Sequence, residues 1–206
     1  MDVKKYQAII FDCGGVIFDF SPDNVFNHWA MVSGEDVDVI RQRFVLDDKY
    51  HKFEKGEIDA VLFRKHTLNM LELKISDEDF DDGWNSIYMD SVYGIEQLLQ
   101  ELKSQYRLVA LTNTNEIHAR KWPILYASLL RHFERVFSSH EIQARKPERK
   151  AFEIVLEHLA LNADDVIFLD DNPEYVQAAS SMNIASIHVT SFRQMIEDLR
   201  NLGVRI

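Results

Sequence analysis

The polar residues that follow the short apolar runs of this sequence are chemically varied: carboxylates, a hydroxyl, an amide and an ammonium. They are Asp12 after AIIF, Thr112 and Asn113 after LVAL, Lys146 before Pro147, and Asp170 and Asp171 after VIFL. Such a set suits phosphoryl transfer, because a carboxylate attacks phosphorus only when cations neutralise the repulsion between the two anions. Lys146 and a divalent cation would supply that positive charge.

Magnesium is the divalent cation that these residues would hold. It prefers a few carboxylate and carbonyl oxygens and keeps several waters, and Asp12, Asp171 and a backbone carbonyl near Gly14 offer such oxygens. The Thr112 hydroxyl and a nearby amide would bind the phosphoryl oxygens. Gly14 and Gly15 would let the backbone approach the substrate closely. The pattern therefore predicts one site for magnesium and phosphate.

Each of these pieces, taken alone, also has an ordinary structural interpretation. An Asp after a strand is often a turn or cap residue, and Lys146-Pro147 is typical of a loop that enters a helix. The run Asp170-Asp171-Asn172-Pro173 would equally cap the helix that follows it. The occurrence of all the pieces in one order along the chain favours the catalytic interpretation.

Strands and helices alternate along most of the chain. Apolar, β-branched runs predict strands buried on both faces at residues 8–11, 108–111, 166–169 and 185–189. Apolar periodicity predicts helices at residues 91–103, 150–159, 174–182 and 192–202. This alternation indicates an α/β fold with a Rossmann-like parallel sheet. Because ligands bind beyond the carboxyl ends of such strands, the polar residues above should meet at one sheet edge.

Residues 19–87 differ in character from the sequence on either side. They contain four helical segments and no convincing buried strand, and each segment begins near an Asp suited to capping or to the helix dipole. The segments are 23–31, 36–44, 59–71 and 77–85. We predict that 19–87 is a helical cap subdomain, inserted through short hinges into a core made of 1–18 and 88–206.

Charge and composition limit the partners. The formal net charge of −11 opposes binding to DNA, RNA or anionic membranes. No uninterrupted apolar run approaches the roughly 18 residues of a membrane span, and the first apolar run is broken by Asp12 with no cleavage site after it. The single cysteine, Cys13, forms no internal disulfide. A cytoplasmic protein with a small phosphorylated metabolite as its partner fits best, and the oligomeric state stays open.

The segments FDCGGVIFDF, ALTNTN, ARKPERKAF and IFLDDNPEYVQAA together resemble the four ordered motifs of the haloacid dehalogenase superfamily. The resemblance covers almost the whole chain and implies that superfamily's α/β fold with a helical cap of the C1 type. Within it, LTNTNEIHARKWP and FEKGEID are similar to the alpha-D-glucose-1-phosphate phosphatase group. The acidic pair after the strand at 166–169 argues against dehalogenation, because the dehalogenases of the family act without magnesium.

The resemblance implies a role for each site residue. Asp12 would be the nucleophile and a magnesium ligand, and Gly14 would lend a main-chain carbonyl to the metal. Lys146 would orient the nucleophile and stabilise charge. The remaining roles are phosphoryl binding by Thr112 with Asn113, direct metal ligation by Asp171, and metal contact through water or hydrogen bonding by Asp170. The implied activity is hydrolysis of a small phosphorylated metabolite, such as glucose 1-phosphate, through an aspartyl-phosphate.

One position departs from the family pattern. Most phosphatases of this type carry a second Asp two residues after the nucleophile as general acid and base, and here that residue is Gly14. Because such a group is worth about 10²- to 10⁴-fold in rate, its loss leaves a second possibility, a catalytically weak or inactive module that binds phosphate or a protein. His118 is a candidate replacement for the acid, although a packing role is the commoner one for a histidine. Trp84 and Trp122 could line a sugar pocket or belong to the core.

Overall fold

The computed structural model describes residues 6–206, so the first five residues of the predicted core segment 1–18 lie outside the described range. Five parallel strands form the central sheet in the order β5-β4-β1-β6-β7. The strands of the described chain are β1 (Ala8–Phe11), β2 (Phe18–Phe20), β3 (Tyr88–Ser91), β4 (Arg107–Thr112), β5 (Arg135–Ser138), β6 (Val166–Asp170) and β7 (Ala185–His188). The predicted α/β fold with a parallel sheet is therefore confirmed.

Helices cover both faces of this sheet, and five more lie in the segment predicted as a cap. They are α1 (Pro22–Ser33), α2 (Val37–Arg43), α3 (Asp48–Glu54), α4 (Ala60–Leu71), α5 (Asp77–Asn85), α6 (Ile95–Lys103), α7 (Glu116–Ala119), α8 (Trp122–Leu125), α9 (Ala127–Leu130), α10 (Ser139–Ile142), α11 (Arg149–Leu159), α12 (Pro173–Ser181) and α13 (Phe192–Asn201), with a 3₁₀ turn at Ala163–Asp165. Among the described residues, no helix combines the length and the apolar character needed to cross a membrane.

Successive residues of the central strands enter two different cores. Ile9 and Phe11 of β1 pack in the same cluster as residues of α6 and α13, whereas Ala8 and Ile10 pack with residues of α11 and α12. All four side chains are fully buried. Continuous apolar runs such as AIIF and VIFL arise because a parallel sheet covered by helices buries both faces of its strands. The sheet edge beyond Phe11 is thereby held by packing on both sides.

Strand β5, at one edge of the sheet, was not predicted from the sequence. Its sequence is RVFS, and its first residue, Arg135, is exposed. Four residues with one exposed charge do not present the continuous apolar run that identifies a strand buried on both faces.

Helices α1 to α5, named here the helical insertion (22–85), pack around one core that also includes Ile117 of α7. The helical insertion lies between β2 and β3, which pair antiparallel through Phe18 with Ser91 and Phe20 with Tyr88. Its centre is aromatic: the rings of Trp29 and Trp84 stack with centroids 5.7 Å apart. Trp84 thus belongs to this core, as an aromatic residue at helical spacing usually does.

The helical insertion has one helix more than the sequence predicted. The missed helix is α3, with the sequence DKYHKFE, and Asp47 caps it by accepting a hydrogen bond from the Tyr50 amide at 3.0 Å. Its charged composition gives little of the apolar periodicity on which a helix prediction depends. Asp36 and Asp59 cap α2 and α4 in the same way, whereas Ser76 caps α5.

Candidate active site

Three adjacent strands bring the predicted site residues to one edge of the sheet. Asp12 follows β1, Thr112 ends β4 and Asp170 ends β6, and these strands are neighbours at the centre of the sheet. The Asp12 amide donates to the Leu169 carbonyl at 2.8 Å, which holds the first residue after β1 against the end of β6. The strand order therefore brings together residues that are far apart in sequence.

Lys146 lies at the centre of this arrangement. Its side chain is fully buried, and its Nζ lies 2.7 Å from Asp12 Oδ1 and 2.6 Å from Asp170 Oδ2. Burial opposes the charge on this ammonium, but the Asp12 and Asp170 carboxylates raise its pKa above the usual value. Lys146 therefore carries a fixed positive charge between two carboxylates that belong to different strands.

Asn113 holds the loop that carries Lys146. The Lys146 amide donates to Asn113 Oδ1 at 2.8 Å, and Asn113 Nδ2 donates to the Lys146 carbonyl at 2.9 Å and to the Tyr175 hydroxyl at 3.2 Å. The side chain of Asn113 is thus used to position the lysine. This use was not visible in the sequence, where the two residues are 33 positions apart.

The acidic residues form a cluster with oxygen ligands only. One carboxylate oxygen from each of Asp12, Asp170 and Asp171 lies within 4.8 Å of the others. Asp170 is fully buried, and its two oxygens accept hydrogen bonds from Lys146 Nζ and from the Asn172 amide at 2.8 Å. Asp171 is only partly buried. In the described hydrogen bonds, other residues donate to the Asp170 carboxylate, and none donates to the Asp171 carboxylate.

The charges of the cluster fit a divalent cation. The cluster holds three carboxylates, and the Lys146 ammonium contacts two of them. Burial, partly offset by Lys146, raises the pKa of Asp12 to about 7. Burial and the neighbouring Asp170 also raise the pKa of Asp171. These shifts express the cost of crowding negative charge, which a cation between the oxygens would relieve. Oxygen ligands without cysteine or histidine are those that Mg²⁺ prefers.

The loop after Asp12 approaches the acidic cluster closely at Gly15. This residue has a φ of +71°, and a Cβ placed on it would lie 2.5 Å from Asp171 Oδ2. Gly14 has no such left-handed conformation, and a Cβ there would lie 3.2 Å from the ring of Phe20, which is partly exposed. Gly15 is therefore the glycine that the local geometry requires. Cys13 beside them is buried, and burial raises the pKa of its thiol, so it stays protonated.

A cavity of about 270 Å³ opens above the cluster. The sheet edge contributes Asp12, Thr112, Lys146 and Asp171 to its lining, and the helical insertion contributes Tyr50 and Glu54. Aromatic side chains form much of the remaining wall, among them Phe18, Tyr88, Trp122 and Tyr175. Trp122 is only 3% exposed and also lines the cavity, so it is both a core residue and a residue of the pocket.

An ion pair joins the helical insertion to the loop of Lys146. Glu54 of α3 accepts from Arg145 Nε at 2.8 Å through Oε2 and from the Tyr50 hydroxyl at 3.0 Å through Oε1. Arg145 also donates to the Tyr175 hydroxyl at 3.4 Å. Burial, opposed by Arg145, raises the pKa of Glu54. Glu54 was not predicted as a site residue, because the sequence of α3 gives little helical periodicity, although Glu54 lies in the family-like segment FEKGEID.

His118 lines the cavity without the properties of a general acid. Its ring stacks on Trp84 with centroids 5.1 Å apart, and its Nδ1 lies 3.4 Å from Asn85 Oδ1. Burial lowers the pKa of His118 to about 3, so the ring is neutral near pH 7. A neutral imidazole does not supply the proton that an Asp at position 14 would have given.

Comparisons with known proteins agree with this architecture. A family model described as haloacid dehalogenase-like hydrolase matches residues 6–183. The sesquiterpene phosphatase astK of Aspergillus oryzae is 26% identical over 208 residues, which cover 96% of each chain. The D-ribitol-5-phosphate phosphatase of Bacteroides thetaiotaomicron is 19% identical over 182 residues, which cover 85% of this chain and 88% of that protein.

A solved structure of similar shape contains the expected metal. The magnesium complex of BT-2542, a haloacid dehalogenase family enzyme from Bacteroides thetaiotaomicron, superposes with a TM-score of 0.83 and 25% identity over 96% of this chain and all of that one. The family match spans most of the chain, and the four ordered motifs lie where the fold places a common site. The chain therefore belongs to the haloacid dehalogenase-like hydrolase family.

Proposed function

We propose that this protein is a magnesium-dependent phosphatase that hydrolyses small phosphomonoesters through an aspartyl-phosphate at Asp12. The observation that carries the proposal is the contact of Asp12 with the buried ammonium of Lys146, beside two further carboxylates at the floor of a cavity. A carboxylate held this way stays available as a nucleophile while the cation reduces its repulsion from a phosphate dianion.

Asp12, Asp171 and the main-chain carbonyl of Gly14 are the groups that we assign to magnesium. When bound, Mg²⁺ neutralises charge on the phosphoryl oxygens and on the carboxylates. Asp170 supports the site from behind, because its oxygens are already bound to Lys146 and to the Asn172 amide. We predict that Asp171 rather than Asp170 contacts the metal directly.

The chain's own residues account for the remaining steps. Lys146 holds Oδ1 of Asp12, which leaves Oδ2 to form a bond to phosphorus as the ester P–O bond breaks. Thr112 and the main chain of Asn113 bind the phosphoryl oxygens. The departing alkoxide takes its proton from water, since Gly14 and the neutral His118 offer none. A water molecule then attacks the aspartyl-phosphate, releases inorganic phosphate and restores the Asp12 carboxylate.

We assign the helical insertion, with flanking residues 19–87, to a cap that excludes water and selects the substrate. Its Tyr50 and Glu54 face the sheet edge across the cavity, whose volume of about 270 Å³ suits a small metabolite. A sugar phosphate such as glucose 1-phosphate is the substrate class that we propose from the sequence, in a cytoplasmic setting. The relatives named above act on other compounds, a sesquiterpene and D-ribitol 5-phosphate by their names, and do not support glucose 1-phosphate in particular.

A second candidate function is supported by Gly14. The general acid and base of the usual pattern is missing, so the chain would bind a phosphorylated compound or a protein and release phosphate slowly or not at all. This candidate predicts binding of phosphorylated metabolites without turnover above background.

Phosphate release from a panel of phosphorylated metabolites, with and without Mg²⁺, tests the proposal. We expect magnesium-dependent turnover in the wild type and a loss of about 10³-fold or more in Asp12→Asn, which removes the attacking anion. Asp82→Asn, the same change at an exposed position, is the matched control and should retain activity. Wild-type turnover in Asp12→Asn would refute the assignment of the nucleophile. Binding without turnover across the panel would favour the second candidate.

A further inference from the structure

The cavity meets a buried carboxylate on the side of the helical insertion. Among the described residues that line the cavity, Glu54 is the one acidic side chain that comes from α1 to α5, and it is 4% exposed. Its position is fixed on two sides, because Oε1 accepts from the Tyr50 hydroxyl and Oε2 from Arg145. Each carboxylate oxygen has capacity for a second hydrogen bond, so Glu54 can still accept one from a ligand.

The cations near the cavity are already paired with carboxylates. Lys146 contacts Asp12 and Asp170, and it is the one Lys or Arg among the described lining residues. Arg145 contacts Glu54 and Tyr175 but is not among the residues that line the cavity. Beyond the phosphate site, no lining cation of the described chain is left to receive a second anionic group.

Other residues that line the cavity, outside the phosphate site, are aromatic or neutral. Phe18, Tyr88 and Trp122 line the cavity, and His118 is neutral because burial lowers its pKa to about 3. An uncharged alcohol with hydroxyl groups would find hydrogen-bond acceptors and aromatic surface there. A second carboxylate would instead face Glu54 in a partly desolvated space, where like charges repel strongly.

We propose that Glu54 determines the substrate class of this enzyme, by accepting a hydrogen bond from a hydroxyl of an uncharged leaving alcohol and by excluding phosphomonoesters that carry a second anionic group. This inference rests on the proposed phosphatase function. It adds to that function a discrimination between neutral polyol or sugar phosphates on one side and phosphorylated acids on the other.

Two pairs of substrates isolate the charge. Glycerol 3-phosphate has a hydroxymethyl group where 3-phosphoglycerate has a carboxylate. Sorbitol 6-phosphate and 6-phosphogluconate differ in the same way. With free Mg²⁺ held constant, the wild type should have a kcat/KM at least about 100-fold higher for the neutral member of a pair, because a like-charge contact in an enclosed site weakens binding of the transition state.

The variant Glu54→Gln removes the negative charge and leaves Arg145 uncompensated. The neutral-to-acidic ratio of kcat/KM should then fall by at least about tenfold, with part of the change a gain for the acidic substrate. Glu57→Gln, three residues further along and exposed, makes the same change in net charge and should keep the wild-type ratio. A thermal melt of each variant checks that it is folded.

The outcomes separate this inference from the proposed function. Absence of turnover on all four substrates and the wider panel would refute the phosphatase function itself. Turnover with similar kcat/KM for both members of a pair in the wild type would overturn only the role of Glu54, even if Glu54→Gln does not fold. An equal loss for neutral and acidic substrates in a folded Glu54→Gln would likewise overturn it, because that is the result of a purely structural residue.

Discussion

Gly15→Ala should weaken metal binding through a steric effect on Asp171. The backbone of Gly15 has a φ of +71°, and an Ala in this left-handed region costs about 1–2 kcal/mol. The new Cβ would also lie 2.5 Å from Asp171 Oδ2 and 2.6 Å from its Cγ. Because carbon and oxygen normally approach to about 3.5 Å, the carboxylate must retreat by about 1 Å.

A displacement of that size exceeds what a metal ligand tolerates. Ligand distances vary by only about 0.2 Å, and disturbing the support of a ligand typically costs 10- to 100-fold in metal affinity. The Mg²⁺ concentration for half-maximal phosphate release should therefore rise by about 10- to 100-fold in Gly15→Ala. Calorimetric titration with Mg²⁺ alone measures the same shift without depending on turnover.

Gly34→Ala provides the matched control. Gly34 ends α1 with a φ of +76°, and a Cβ there would have no atom within 4 Å. In urea, both variants should lose about 1–2 kcal/mol of unfolding free energy from the left-handed backbone alone, but only Gly15→Ala has the additional contact with Asp171 and should bind Mg²⁺ more weakly. If the two variants titrate alike with Mg²⁺, then Asp171 is not the ligand that this geometry implies.

Three further predictions concern residues of the same site. Asp171→Asn should raise the Mg²⁺ requirement more than Asp170→Asn does. Asp170→Asn should lower the urea midpoint more, because Asp170 is buried against Lys146. Equal Mg²⁺ titrations of the two variants would contradict this order. His118→Phe should flatten the acid side of the stability profile. The folded His118 pKa of about 3 lies below the unfolded value near 6.5, so the unfolded chain binds more protons between these pH values and stability falls as the pH falls. From pH 7 to 4.5, the wild type should therefore lose about 2–3 kcal/mol more unfolding free energy than His118→Phe. Equal losses of the two proteins in urea unfolding would refute the pKa shift. Gly14→Asp should raise kcat/KM for glucose 6-phosphate by a larger factor than for glucose 1-phosphate, because the primary alkoxide leaving group has the greater need of a proton. The Cβ of the new Asp must displace the partly exposed ring of Phe20. Equal gains for the two substrates in a folded, Mg²⁺-binding variant would refute the missing-acid explanation.

The sequence predicted the central strands and the residues at their ends for one physical reason. AIIF and VIFL are continuous apolar runs because both faces of a covered parallel sheet are buried. Asp12 and Asp170 come directly after these runs, at the sheet edge where ligands bind. The RVFS strand at the sheet edge begins with an exposed Arg and gives no such run.

The contacts between distant segments were beyond the reach of sequence reasoning. Glu54 pairs with Arg145 across 91 positions, and Asn113 binds the backbone of Lys146 across 33. Neither contact follows from periodicity or from a local motif, since each depends on how α3 and the loop before α11 are brought together by tertiary packing. The close approach of Gly15 to Asp171 has the same origin, because one residue follows β1 and the other follows β6.

The pairing of β2 with β3 has a consequence for how this chain can change over evolution. The polypeptide leaves for the helical insertion after Phe20 and returns at Tyr88, the residue that faces Phe20 in the ladder. Exit and return are thus neighbours, so helices between them can be lengthened, shortened or exchanged for others while the separation to be closed stays the same. Loop closure changes only slowly with the length of the intervening chain. Sequence changes in the helical insertion between β2 and β3 can accordingly alter the part of the cavity wall that it contributes, while the register of the five parallel strands stays the same.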